Sequence, residues 1–534
     1  MAAPEKGWSF EMPMYRTWVP LHIRPWIYVL FAVSFQISGG VYLGAASQIY
    51  GSLSLMREDV TMCLYVTLAA MAMYFPLLFR MKFRFTNKLL LMAAASLMAL
   101  CNYLVTIVDS LPLLWVICFF AGIAKLQGTF ECISNIQLWM TSTRDMRAFF
   151  PIFHIILVGC MQFSDLITVH IAYYYNWHYM HYFIIGVMLT VCFAVLVLTR
   201  WVRIVPKVPL WGIDVTGAIL WLLLSLQLIY IFNYGEWHDW YNSPEITTIT
   251  GTALVTLGAA IHRMRYTVHA YYSKKIWSFK YMKQIILLIM LTEFFFATEN
   301  ALETIYLGAG MHYDALNDVS LDWLVVAGIL TAAGFSYYFL KIRHVSYYKM
   351  LISGMVAQTL YLAGMYFLMD TSLNIEKLYL PIFMRGFSYT VLSATYFICL
   401  FDAMNFSTFF QAVSVFNIIH MTLGGVMGGA IYSFGMRYYM RDNMSRYAQY
   451  IDSVQQSISP ADFSTWMNSF TQSLQLISVK QIYGWVLYAS IAVLIFYLIY
   501  DRPAMRNTLK QLPLWREYAR KISAHVKALP SQDR

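Results

Sequence analysis

The sequence predicts an all-α polytopic membrane protein built as two six-helix bundles with two further helices inserted between them. Three observations predict it: apolar stretches of spanning length, basic residues gathered in alternate loops, and an internal repeat. Of the 534 residues, 60% are apolar and 12% are charged. A soluble chain of this size needs far more charge on its outside. A bilayer core about 30 Å thick takes roughly 20 apolar residues per spanning helix. Alternation of the β-barrel kind is absent, so helices are the spanning option.

Fourteen spans follow, at 27–49, 59–79, 89–108, 112–137, 149–171, 179–199, 214–232, 246–262, 284–307, 321–340, 350–369, 379–401, 409–434 and 482–500. The eighth is short, and the ninth carries three glutamates. Placing both termini in the cytoplasm puts 29 of the 37 Lys and Arg on the inner side. Six fall outside (Arg57, Lys377, Arg437, Arg441, Arg446 and Lys480), and Lys125 and Arg385 lie within spans. A miscount of one span destroys that bias, so an even number is expected. The net charge of +10 is then a topological signal spread over short loops, not a nucleic-acid surface. All seven cysteines fall in spans without a C-x-x-C pair, which argues against a disulfide framework or a zinc site. Gly44-Ala45-Ala46-Ser47 imitates a signal-peptide cleavage site, but the preceding stretch is too long for an h-region and is kept as a helix.

Residues 1–26, with Trp8, Trp18 and Trp26 beside Arg16 and Arg24, form a cytoplasmic tail at the headgroups. Residues 27–199 form the first bundle, 200–283 the linker with inserted helices, and 284–500 the second bundle. Within the last, 435–481 is expected as an extracytoplasmic segment of short helices. Residues 501–534 form a basic cytoplasmic tail.

The repeat sets this architecture. The loop after span 2 has Arg80, Lys82, Arg84 and Lys88; the loop after span 10 has Lys341, Arg343 and Lys349. The pairs 80/341, 82/343 and 88/349 are each 261 apart, and Lys125 and Arg385 are 260 apart. Spans 1–6 therefore recur as spans 9–14.

Several motifs carry a resemblance. Asp214-Val215-Thr216-Gly217 opens span 7, and Gly235-Glu236-Trp237-His238-Asp239-Trp240-Tyr241-Asn242-Ser243-Pro244-Glu245-Ile246 joins it to span 8. Lys125-Leu126-Gln127-Gly128 lies in span 4. Phe416-Asn417 and Leu423-Gly424-Gly425-Val426-Met427-Gly428-Gly429-Ala430 lie in span 13. With six plus six helices and two inserted, the chain resembles the major facilitator superfamily, in particular its fourteen-spanner drug:proton antiporters of the EmrB type. Span 5 shows Val158-Gly159-Cys160-Met161-Gln162 where that group has G-P-x-x-G, and span 1 lacks its usual acidic residue.

An ionisable side chain inside a bilayer is a functional candidate, since its insertion costs about 2.5–3.5 kcal/mol. Span 9 holds Glu293, Glu299, Asn300 and Glu303. Glu299 and Glu303 share a face, whereas Glu293 points about 120° away from Glu299 at 3.6 residues per turn. The resemblance implies that this helix lines a central cavity, where a carboxylate suits proton coupling. The alternative is a wetted face with one glutamate paired to a neighbouring helix and Glu303 at the outer interface. Lys125 and Glu131 lie about 240° apart around span 4 and cannot pair. Lys125 is expected to meet another helix, with Asp165 of span 5 a candidate. The resemblance implies that Lys125 couples substrate and proton sites; a buried ion pair fixing the packing is the equal alternative. Arg385 has the same two readings. Asp165 and Glu131 complete the proton-coupling candidates, Gln127 those for substrate coupling. Arg80, Lys82, Arg84, Lys88, Lys341 and Arg343 are candidates for conformational control. Gly424, Gly425, Gly428 and Gly429 have the small-x-x-x-small spacing of close helix packing. His170, His178 and His181 read as interfacial residues rather than a metal site.

No Walker A, G-x-S-x-G or H-E-x-x-H pattern occurs, so ATP driving and standard hydrolase chemistry are not indicated. The expected activity is secondary transport of small molecules, driven by protons, in a lipid membrane. Aromatic residues at 17% suit amphipathic or cationic organic cargo. The resemblance implies export across a bacterial inner membrane, with a HlyD/EmrA-type adaptor and an outer-membrane channel as partners. Rival readings are an uptake carrier for organic solutes, or a membrane scaffold or transferase.

Overall fold

Polar cap residues mark where the helices begin, and apolar runs carry them across the membrane. The computed structural model describes residues 10–42, 45–141, 145–203, 207–279, 282–310, 313–370, 373–404, 406–448 and 463–499. The expected tail 501–534 and residues 1–9 lie outside these. Residues 10–23 are clamped to the protein. Phe10, Met12, Met14, Tyr15 and Val19 are buried, while Trp18 and Trp26 face outward. Arg24 donates to the Glu11 carbonyl at 2.8 Å, and Arg200 donates to the Pro13 carbonyl at 2.8 Å.

The first expected span is broken. α1 (Arg24–Ile37) ends at an extended Ser38, and α2 (Ala46–Leu53) follows a gap. Gly40 explains the break: a Cβ there would stand 3.0 Å from Cys118 Sγ and 3.3 Å from its Cα. A carbonyl freed at membrane depth must find a partner within protein. Ser164 supplies one, donating to the Ile37 carbonyl at 3.1 Å.

α3 (Arg57–Arg84), α4 (Asn87–Val105) and α5 (Leu111–Met140) follow. The fifth span joins α6 (Met146–His154) to α7 (Cys160–Tyr174) through a π-helical turn at Ile155–Gly159, and α8 (Trp177–Leu198) is the sixth. The side chains of Thr86, Asp145 and Asn176 accept first-turn N–H groups that have no partner inside their helices. α9 (Val215–Tyr234) and α10 (Pro244–Tyr266), capped by Asp214 and Ser243, are the inserted pair; they pack on each other, and α9 packs on α3.

α11 (Lys274–Ser278) leads into α12 (Met282–Phe296), extended by π-helical turns at Glu299–Glu303 and Tyr306–Gly310. Then come α13 (Ala315–Ser320), α14 (Asp322–Tyr337), α15 (Tyr347–Leu368) and α16 (Tyr379–Ala403). α17 (Phe406–Asn417) passes through a π-helical segment at Ile418–Gly424 into α18 (Gly425–Ala448), and α19 (Phe463–Ile499) closes the bundle. The segment expected over 435–481 as a loop with short helices is largely these two long helices, with 449–462 outside the described residues. Its polar residues bond between the helices: Asn443 Nδ2 donates to Ser478 at 3.1 Å and to Gln481 at 3.0 Å.

The other thirteen expected spans fall on helix over their described residues. Among the described residues, eleven helical stretches are long and apolar enough to cross a membrane; α1, α10 and α16 fall outside that set. The chain is a multi-pass integral membrane protein. Its outside agrees, with Phe193, Leu254 and Val255 exposed by 67%, 65% and 74%.

The repeat is visible in the packing. α5 packs on α3 and α4, and α16 packs on α14 and α15. At the α3–α5 crossing, a Cβ on Gly122 would stand 2.4 Å from the Thr67 carbonyl oxygen. At the α14–α16 crossing, a Cβ on Gly328 would stand 2.4 Å from the Phe383 carbonyl oxygen. Residues 328 and 383 each lie 261 positions after their counterparts 67 and 122, the offset of the basic loops. The glycine has changed helix, but the crossing point is the same.

Candidate functional site

The glutamates of the ninth span enter two separate networks. Arg385 on α16 gathers the first. Its Nη1 lies 2.8 Å from Glu303 Oε2, and its Nη2 lies 3.2 Å from Glu299 Oε1 and 4.0 Å from Asp322 Oδ1. Tyr361 donates to the same Glu303 oxygen at 3.0 Å. Gly386 makes this geometry possible. A Cβ there would stand 2.4 Å from the Val325 carbonyl oxygen, so α16 lies directly on α14 one turn from Asp322. Glu303 is therefore a buried partner of Arg385, not an outer-interface residue. Glu299 is more open, with 34% of its side chain exposed against 6% for Glu303.

The other bundle contributes opposing charges. Lys125 on α5 lies within electrostatic range of Asp165 on α7. Asp165 in turn is within range of Glu299 and Asp322. Asp318 on α13 adds a further carboxyl near Glu303 and Arg385. Both Lys125 and Asp165 are half-buried. Asn300 occupies the π-helical turn of Glu299, and its side chain lies outside what the structure describes.

The second network holds Glu293. Its carboxylate bonds His420 Nδ1, and His420 Nε2 faces the Tyr389 hydroxyl at 2.9 Å. The Tyr389 ring also stacks on the imidazole, with centroids 5.5 Å apart. Tyr389 lies within electrostatic range of both Glu293 and Glu299. Glycines bring these helices together: a Cβ on Gly424 would stand 2.4 Å from Glu293 Cβ, and one on Gly428 would stand 2.4 Å from Ala297 Cβ. A Cβ on Gly425 would meet Tyr65 at 3.7 Å, and one on Gly429 would meet nothing within 4 Å.

Glu131 and Gln127 sit elsewhere, near the basic-loop end of the first bundle. Lys82 Nζ bonds Ser134 and lies 3.5 Å from Glu131, while Asn87 donates to Glu131 at 2.8 Å. Gln127 donates to Glu131 at 3.2 Å and accepts from Tyr74 at 2.9 Å. Lys88 donates to the Leu196 and Thr199 carbonyls, both at 2.9 Å, closing the end of α8. Arg80 reaches the Trp211 carbonyl at 3.5 Å, Arg84 is half-buried, and Arg343 bonds the Tyr338 hydroxyl at 2.9 Å.

On the same side, charged and aromatic contacts join the bundles. Arg147 on α6 lies 3.3 Å from Asp402 on α16, and its Nε donates to the Tyr347 hydroxyl at 3.0 Å. Tyr347 donates to Asp402, and Lys341 pairs with Asp145. Behind them Phe150 stacks on Phe397 at 5.7 Å. Phe410 meets Phe79 and Phe130, each at 5.7 Å. At the opposite end, Tyr173 donates to Asp314 at 3.1 Å.

The three outer histidines do not converge. His181 is buried with Nδ1 3.0 Å from Asn102 Oδ1, His170 faces the Leu166 carbonyl, and His178 faces Asn176. Among the described residues no His, Cys, Asp and Glu group forms a metal cluster, and all seven cysteines are free thiols. His420, Tyr389, Asp318, Asp322, Arg147 and Asp402 were not among the expected site residues. His420 carries the one readable signal, an ionisable side chain inside an apolar span.

No family model and no curated protein matches the sequence. Solved structures do match in fold. A crystal structure of tetrameric PepTSo2 aligns with TM-score 0.56 at 11% identity, covering 91% of this chain and 99% of that one. An auto-inhibited POT family peptide transporter aligns with TM-score 0.49 at 15% identity, covering 90% and 98%. The MFS (major facilitator superfamily) proton:xylose symporter XylE, bound to 6-bromo-6-deoxy-D-glucose, gives 0.44 at 11%, covering 89% and 94%. The fold is all-α and is shared with the PepTSo2 structure.

Proposed function

We propose that this chain is a proton-coupled secondary transporter that exports amphipathic or cationic organic molecules by alternating access. The observation that carries the proposal is a charge imbalance where the bundles face each other. Among the described residues, Arg385 pairs with Glu299 and Glu303 and faces Asp322, and Lys125, Asp165 and Asp318 lie within electrostatic range of this cluster, two cations against five carboxyl groups. Unpaired carboxylates in a low-dielectric interior are strongly disfavoured. The surplus is therefore neutralised by protons or by a cationic cargo, and either one displaces the other. Arg385 holds Glu303 tightly, which leaves Glu299, Asp165, Asp318 and Asp322 as the exchanging groups. Alternating access then requires the Arg147–Asp402 contacts to part as those at the opposite end close.

Efflux of a fluorescent cationic dye from cells making the protein, with and without a protonophore, tests this reading. The expected result is efflux that stops with protonophore and in Glu299→Gln. Efflux indifferent to both sinks the proton-coupled reading. Accumulation of radiolabelled organic solutes in intact cells, rather than loss, reverses the direction.

A further inference from the structure

The segment that follows the inserted helices straps the two bundles together. Asp214, which caps α9, sets where it lies. Its Oδ1 accepts the Gly217 N–H at 2.9 Å, and Arg263 Nε from the last turn of α10 at 2.6 Å. Its Oδ2 accepts the Tyr271 N–H at 3.1 Å. One carboxylate thus joins both ends of the inserted pair to the chain that leaves it. Val268 in that chain is exposed, but Tyr271 and Tyr272 turn inward and are buried.

The two tyrosines meet α3 and α17 at a proline break. Pro76 lies inside α3 and has no N–H, so the Ala72 carbonyl, four residues earlier, has no partner in its own helix. Ser414 on α17, in the other bundle, donates to it at 2.6 Å. That spends the serine's proton, so Tyr272 is the donor in its 2.6 Å contact with Ser414 Oγ. Tyr271 donates to the next carbonyl, that of Met73. Trp221 of α9 packs edge-on against the Tyr272 ring at 5.2 Å, and Gln411 of α17 accepts the Ser273 N–H at 3.1 Å. First bundle, second bundle and inserted pair meet in these bonds. Phe410, one turn before Ser414, closes on Phe79 of α3 on the basic-loop side.

We infer that Tyr271 and Tyr272 form a strap that holds the basic-loop side of the protein closed. The inference rests on the alternating-access reading, since a strap matters only if that side opens. Opening carries Ser414 away from α3 and breaks the chain of bonds from Tyr272 to Ala72. Water entering from that side then takes over as partner of the Ala72 carbonyl, so the strap releases without leaving a buried polar group unmatched. The inserted pair α9–α10 is thereby a brace on one state of the cycle, anchored through Asp214 and Trp221.

The test uses the full-length protein in vesicles, with its seven native cysteines replaced and Tyr65→Cys as reporter. Tyr65 lies about 12 Å along α3 from Met73, away from the basic loops, and its hydroxyl faces Gly425 of α18. A membrane-impermeant maleimide is applied from the basic-loop side. Tyr271→Phe and Tyr272→Phe should each speed labelling about fivefold, the worth of one hydrogen bond. Ser414→Ala should speed it further, and adding Tyr272→Phe to it should change nothing, because the phenol has already lost its acceptor. A second reporter, Leu316→Cys, packs with Leu166 and Val169 at the opposite end and is read from that side. A released strap slows this one, whereas a loosened fold speeds both. Labelling of Tyr65→Cys that is unchanged by all three substitutions, or both reporters speeding together, overturns the strap alone. No labelling of Tyr65→Cys in any protein, Asp402→Asn included, overturns the alternating-access reading and the strap with it.

Discussion

Glu293 and Glu299, six residues apart in one span, have different partners: His420 takes the first and Arg385 the second. The divergence follows from helix geometry, which turns them about 120° apart. Because the networks are separate, their substitutions should separate too. Glu299→Gln removes an exchanging carboxyl beside a cation that Glu303 still holds, so protonophore sensitivity is lost while the protein stays folded. Glu293→Gln and His420→Gln break one contact from either side. Each alone should give the same defect, and the double variant no more. Dye efflux across these four variants decides it; additive losses at 293 and 420 contradict a shared role.

Arg385 bonds two carboxylates and faces a third, at 6% side-chain exposure. Removing one member of a buried ion pair typically costs 3–5 kcal/mol, because the remaining charges are left unpaired. Arg385→Met should therefore lower the thermal unfolding midpoint in detergent by several degrees or prevent accumulation of the protein. Acidification should narrow that deficit, since protonated carboxyls no longer need the guanidinium. A midpoint equal to wild type at neutral pH would show that water already screens the cluster.

The architecture was legible because it rests on signals that need no partner. Apolar run length and loop charge place helices one at a time, and the 261-residue offset ties them into two bundles. The different directions of Glu293 and Glu299 followed from helix period alone. Partners across helices were less accessible. Asp322 and Arg147 stand near span ends, where charge is expected, and only the fold turns them inward. His420 was readable by the criterion applied to the glutamates. The break after α1 was not, since Gly39 and Gly40 sit in an apolar run whose length alone predicts one helix. The segment over 435–481 was misjudged because Asn443, Ser478 and Gln481 bond one another between two long helices whose other polar residues, Arg437, Arg441 and Arg446 among them, stay exposed.

The glycine run of span 13 divides by position. Gly424 faces Glu293 with no room for a methyl group, and Gly429 has open space. Overpacking of this kind costs about 1–3 kcal/mol. Gly424→Ala should lower the unfolding midpoint and weaken efflux by displacing Glu293 from His420. Gly429→Ala should leave both near wild type. Equal behaviour of the two variants in parallel melts argues against close packing as the role of Gly424.

The Arg147–Asp402 contact joins the bundles on the side of the basic loops, with Tyr347 bonded to both residues. Hydrogen bonds to charged groups contribute about 1.5–3 kcal/mol each. Losing one such contribution should shift the population open to that side by about 10- to 100-fold, since each 1.4 kcal/mol is tenfold. A cysteine at Phe397, behind the contact, reports the opening. In a background with the seven native cysteines replaced, a membrane-impermeant maleimide should reach it faster in Arg147→Ala and in Asp402→Asn when applied from the basic-loop side. The exchange of charges, Arg147→Asp with Asp402→Arg, should restore slow labelling and part of the transport. If labelling is the same in all four proteins, the ion pair does not hold the bundles closed, and the aromatic contacts of Phe150 and Phe410 are the closure.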